Sequence, residues 1–172
     1  RRQRQMCIRD SFTPLAATLA FSALAACATR PEAPASVQQA APAPVDGYDW
    51  FMHAEGDEAV LAYGVANSDD LKLRLDCTPA SGRLRLTAPA AGTERAIALE
   101  SGGDTERYAA AAEPSGIHDG DLLVAEAAVA DPVFQRFRRL GWIAAWRGGH
   151  RDVYAAHPGS RKGVSDFFAA CG

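Results

Sequence analysis

The chain has 172 residues, the length of about one domain, and a formal net charge of −3. Apolar residues make up 48% of it but aromatics only 8%, so a core here is built mainly from Leu, Val, Ile and Ala with a few rings. Mild acidity argues against nucleic acid as a partner, because phosphate binding needs a basic patch.

Residues 1–11 stand apart. Gln5-Met6-Cys7-Ile8-Arg9-Asp10-Ser11 looks like the in-frame translation of a transposon end used to prepare sequencing libraries. On that reading the segment is an artefact, and Cys7 leaves the cysteine count. The alternative is a genuine start at Met6.

From Phe12 to Ala26 the chain is uncharged and rich in Ala, Leu and Phe. It is shorter than the roughly 20 apolar residues that span a bilayer. It has the length of a signal-peptide apolar region. The segment ends Leu24-Ala25-Ala26-Cys27, which resembles the lipobox of bacterial lipoproteins. The resemblance implies that the chain is cut before Cys27, that its thiol carries diacylglycerol, and that the new N-terminus is acylated too. Several acyl chains anchor stably where one is marginal. Ala28, in place of Asp, points to the outer membrane under the sorting rule of enteric lipoproteins. The plainer reading is a secretory signal cleaved nearby, with Cys27 a spectator. Removing the four arginines and one aspartate before Cys27 takes the net charge from −3 to −6.

Residues 27–45 form an Ala/Pro-rich tether containing Pro31, Pro34, Pro42 and Pro44. Such a segment buries too little surface to offset its ordering entropy. Extended in polyproline II, about 18 residues reach roughly 55 Å.

Residues 46–172 form the expected periplasmic domain. Alternating segments separated by Gly, Pro, Asp and Ser predict strands near Tyr48–His53, Glu58–Gly64, Leu71–Cys77, Gly82–Thr87, Glu94–Glu100, Arg107–Ala112, Leu122–Val129 and Trp142–Arg147, with a weaker one near Asp152–Ala155. Even spacing points to a mainly β fold, a small antiparallel barrel or sandwich. The clearest hairpin joins Leu71–Cys77 to Gly82–Thr87: Leu71, Leu73 and Leu75 share one face, and Leu84 and Leu86 answer them across the turn. One short helix is inserted at Asp131-Pro132, with Asp as N-cap, Pro at the first position and Gly141 as the stop. A second, C-terminal helix runs from about Arg161 to Ala170, capped by Ser160, with Val164, Phe167, Phe168 and Cys171 as its apolar stripe.

Two cysteines remain, Cys77 and Cys171. Strand parity puts Cys77 with the leucines, and helical spacing puts Cys171 on the apolar stripe. In an oxidising compartment both thiols aim at one core, so a disulfide is expected between them. Neither lies in a local redox motif.

No catalytic constellation is apparent, and no metal or cofactor is expected. His53, His118, His150 and His157 lack ligand spacing and read as loop residues. Asp69-Asp70 and Asp119-Gly120-Asp121 do not fit a calcium loop and read as turn carboxylates. Lys72, Arg74, Arg83 and Arg85 line the polar face of the first hairpin and are a candidate anion-binding surface. Glu94 and Glu100, on the next strand, offer cross-strand pairing that explains the same charges without a ligand. Trp142 and Trp146 share a strand face, and as stacked rings they suit a sugar, although core packing is the commoner use.

Nearly the whole domain resembles uncharacterised small envelope proteins of α-proteobacteria. The residues that carry this are Leu61-Ala62-Tyr63-Gly64, Ser68-Asp69-Asp70, Cys77, Ser81-Gly82, Phe137-Arg138 before Gly141, and the ending Phe167-Phe168-Ala169-Ala170-Cys171-Gly172. The resemblance brings no activity with it. The expected function is non-enzymatic: a tethered domain that binds an envelope protein or glycan. Two alternatives are a periplasmic hydrolase and an inhibitor of the lysozyme-blocking kind. The latter are disulfide-stapled barrels that present a Ser/Gly loop, to which Ser101-Gly102-Gly103 is faintly similar.

Overall fold

Leu61, Leu75, Leu86 and Ala125 stand at one level on four neighbouring strands and are all buried, and from this row the sheet of the domain can be followed outward. The computed structural model describes residues 41–90, 92–116 and 120–172. The expected artefact, the signal segment, Cys27, most of the tether, His118 and Asp119 lie outside the described residues.

The strands are β1 (Tyr48–Glu55), β2 (Glu58–Val65), β3 (Leu71–Cys77), β4 (Arg83–Pro89), β5 (Ala96–Ser101), β6 (Asp104–Pro114), β7 (Asp121–Ala128), β8 (Trp142–Arg147) and β9 (His150–Ala155). Two helices, α1 (Pro132–Leu140) and α2 (Arg161–Cys171), complete the fold. The strands form one nine-stranded antiparallel sheet in the order β1-β2-β3-β4-β7-β6-β5-β8-β9, curled into a nearly closed barrel. The mainly β fold with one inserted helix and one C-terminal helix is therefore as expected. The predicted hairpin is present, with Leu75 opposite Leu86.

The neighbour of β4 is β7, not β5. The long strand β6 makes this possible. Residues Asp104–Ala109 pair with β5, and Ala110–Pro114 pair with β7. One strand thus passes from one half of the sheet to the other, and the sheet turns there.

Helix rings fill the concave side. Trp50 of β1 meets Phe137 at 4.8 Å between centroids, and Phe168 meets Phe137 at 5.7 Å and Phe134 at 6.0 Å. Val133, Phe134 and Phe137 of α1 and Val164, Phe167, Phe168 and Cys171 of α2 are buried, while Leu140, the last apolar position of the α1 stripe, is only partly so. The helix starts differ from expectation. Asp131 makes no side-chain cap; its carboxylate accepts from the Ala128 N–H and the Tyr108 hydroxyl instead. Glu106 of β6 reaches over and accepts from the Val133 N–H at 3.0 Å. Ser160 likewise makes no cap, because its hydroxyl is turned to Asp49. Gly141 does end α1 in the left-handed conformation (φ 76°), with its N–H on Phe137 O.

Cys77 and Cys171 form a buried disulfide, with Cα atoms 5.8 Å apart. The same corner satisfies carbonyls at the C-terminal end of α2. Ala80 and Gly82, in the β3–β4 turn, donate to Ala170 O and Cys171 O, each at 2.8 Å. Both turn residues have positive φ, 57° and 66°. Helix, turn and sheet are thus joined at one point by a covalent bond and two backbone hydrogen bonds. Replacing both cysteines by alanine is expected to keep the fold while lowering unfolding free energy by at most about 4–5 kcal/mol, the chain-entropy value for a loop of this size. Denaturant unfolding of wild type and the double variant checks this; coincident curves would mean that the bond carries no stability.

Candidate functional site

β1 and β9 end the strand order, and no ladder joins them among the described residues. Side chains cross the gap instead. Trp50 Nε1 donates to the Tyr154 carbonyl at 3.2 Å. Asp49 Oδ1 accepts from Ser160 Oγ at 2.6 Å, from the His157 backbone N–H at 3.2 Å and from the Trp50 N–H at 2.8 Å. One carboxylate of β1 thereby holds the connection from β9 to α2. The ring of Tyr63 lies 4.7 Å from that of Tyr154 and 5.3 Å from that of Trp50.

At one end of this seam a cleft of about 420 Å³ opens, lined by Val45, Tyr48, Tyr63, Lys72, Arg147 and Tyr154 among others. The bulge at Tyr63/Gly64 shapes its β2–β3 side. A side chain at Gly64 would collide with the Asp70 carbonyl, so glycine is required there. Asp70 in turn accepts from the Tyr48 hydroxyl and pairs with Lys72 Nζ at 2.5 Å. That pairing holds the Lys72 ammonium charged above its ordinary range. On the other side Arg147 pairs with Asp152 at 2.7 Å. Tyr63 and Tyr154 are 2% and 3% exposed, and neither hydroxyl has a hydrogen-bond partner among the described residues. Burial pushes each phenol up to about 12, so both stay protonated donors at neutral pH.

The four cations singled out in the sequence do not form one surface. Only Lys72 lines the seam cleft. Arg74 pairs with Asp76 at 2.6 Å and with Glu58 at 3.4 Å. Arg83 pairs with Glu126 at 3.5 Å and Arg85 with Glu113 at 3.3 Å. Charge pairing does account for these residues, but not through Glu94 and Glu100. Those belong to the β5 side of the molecule; β7 with the end of β6 supplies the carboxylates for Arg83 and Arg85, and Asp70, Asp76 and Glu58 supply those for Lys72 and Arg74.

Trp142 and Trp146 share the outer face of β8 and do not join the main core. Trp142 packs in a small cluster with Ala144 and Ala155, beneath the Arg151 guanidinium at 5.5 Å. Trp146 is 39% exposed, and its indole N–H donates to Glu100 at 3.0 Å. It borders a second cleft, of about 380 Å³, with Glu94, Arg95 and Arg107. Glu100 also accepts two bonds from Arg151, at 2.7 and 2.8 Å.

Ser101 is fully buried and donates to the Trp142 carbonyl at 2.9 Å. Asp49, His157 and Ser160 are neighbours, but the histidine takes part through its backbone, and its ring nitrogen lies 3.4 Å from Val45 O. Among the described residues no three His, Cys, Asp or Glu side chains converge as metal ligands.

Comparison with protein-family models, curated proteins and solved structures returns no match.

The Arg151 hydrogen bonds hold the Glu100 carboxyl below the usual carboxylate range. A depressed native pKa adds stability that is complete above the unfolded-state value and is lost as pH falls through the native one. Glu100→Gln is therefore expected to melt a few degrees below wild type at pH 7, with the gap closing at acid pH, below the usual carboxylate range. Thermal unfolding across pH checks this; a gap independent of pH would assign the loss to packing.

Proposed function

We propose that the protein is a lipid-anchored lipoprotein of the bacterial cell envelope, facing the periplasm from the outer membrane, whose domain binds an envelope partner without catalysing a reaction. The observation that carries the first half is the buried Cys77–Cys171 disulfide. Such a bond suits an oxidising compartment, and the Leu24-Ala25-Ala26-Cys27 lipobox accounts for how the chain reaches one. Cys27 is then the anchor and residues 28–45 the spacer. The binding half is supported by two clefts bordered by aromatic rings and charged groups. The exposed, hydrogen-bonded indole of Trp146 is the kind of platform on which a sugar ring stacks, which favours a glycan among envelope partners.

The test is the intact mass of the mature protein recovered from membranes, with thiol alkylation before and after reduction. The expected product begins at Cys27, carries acyl chains, and is alkylated at Cys77 and Cys171 only after reduction. Cys27→Ser is expected to release the domain from the membrane fraction. An unacylated product with free thiols would overturn the assignment.

A further inference from the structure

We propose that the cleft at the end of the β1–β9 seam binds a small anion with an apolar body, an aryl or short alkyl carboxylate, whose acid group is held by the hydroxyls of Tyr63 and Tyr154 and by Arg147. The proposal deepens the binding role given above, and rests on that role but not on the lipid anchor.

Its basis is an imbalance of hydrogen-bonding groups. Nearly all buried polar groups in native proteins are paired, and each one left bare costs about 1–3 kcal/mol. Two such hydroxyls occur here, on rings whose centroids lie 4.7 Å apart, contributed by strands on opposite sides of the seam. Both are donors, since burial keeps the phenols protonated. The cations beside them also have donors to spare. Arg147 commits Nε and Nη2 to Asp152, which leaves Nη1. Lys72 has three donors and meets Asp70 through one short ion pair. The nearby carboxylates are already engaged: Asp70 by Tyr48 and Lys72, and Asp152 by Arg147. What the two hydroxyls lack is an acceptor, and a carboxylate supplies two oxygens with several lone pairs. Beside Arg151 and Asp152, the wall also has an apolar part, made by Val45, Val153 and the Tyr48 ring, which the bare ion alone would leave uncovered. A volume of about 420 Å³ lies within the range usual for small-molecule sites.

The experiment uses the full-length chain and the fluorescent aryl sulfonate 1-anilinonaphthalene-8-sulfonate, with benzoate, octanoate and inorganic phosphate as competitors. One saturable site is expected, from which benzoate and octanoate displace the dye and phosphate does not. Tyr63→Phe with Tyr154→Phe, and separately Arg147→Gln, should each weaken binding about tenfold or more, as loss of a hydrogen bond to a charged group does. Arg85→Gln, on the outer face, should leave it unchanged. The double phenylalanine variant should melt no lower than wild type, because its hydroxyls have no protein partner to lose. No dye binding, equal binding by the double variant, displacement by phosphate alone, or a lower melting temperature of that variant would each overturn the proposal; the last two point to bare-ion binding and to a structural role. These results are independent of the acylation measurement. Failure here removes the cleft and leaves the anchor and the Trp146 face standing, and an unacylated chain that still binds the dye reverses that outcome.

Discussion

The barrel closes through side chains where its strands stop pairing, and the Asp49 carboxylate is the centre of that closure. Three donors converge on one oxygen: the Trp50 N–H of its own strand, the His157 N–H after β9, and the Ser160 hydroxyl at the start of α2. With the Trp50 indole on the Tyr154 carbonyl, this draws β1 towards β9 without a backbone ladder. A sheet with unpaired edges invites pairing with another chain. Here the edges face each other, and α2 packs on β1 and β2. The same incomplete pairing leaves room at one end, and the tyrosine-lined cleft occupies it.

The second fixed point is the corner where α2 ends. Phe167 and Phe168 contribute the buried rings, but those rings are useful only if the helix is held in register with the sheet. Cys171 bonds to Cys77, and the Ala80 and Gly82 amides meet the last helical carbonyls. An orphan helix end is thereby satisfied by a sheet turn. Serine and aspartate at the helix starts do other work than capping. Ser160 serves the seam and Asp131 serves Tyr108, while Glu106 takes over as the cap of α1.

Much of this was legible along the chain. Period-two alternation marked strands such as β2, β3 and β4, because one face of each is buried, and the Leu71–Cys77 hairpin announced its own partner. Asp131-Pro132 and Gly141 marked α1, and the stripe ending in Cys171 implied the staple. Strand order was not legible. Pairing β4 with β7 depends on β6 turning between two partners, and no local residue declares that. The paired cations were recognisable as paired, but their partners were misplaced for the same reason. The seam residues gave weaker signals still. Asp49 reads as an ordinary polar position, and Tyr63 and Tyr154 lie 91 positions apart in sequence. The one available clue was a tyrosine at the same parity as Leu61, since a buried hydroxyl needs a partner.

Closure without a ladder is best tested by amide hydrogen exchange resolved along β1 and β9. In an antiparallel pair an edge strand turns alternate N–H groups away from its neighbour. The described seam predicts that alternate amides of β1 and of β9 exchange freely, except those of Tyr48 and Trp50, which are held by Val45 O and Asp49, while the intervening ones, bonded to β2 and β8, are protected. Uniform protection along both strands would mean that β1 and β9 are joined by backbone hydrogen bonds, and would contradict both the seam and the cleft built on it.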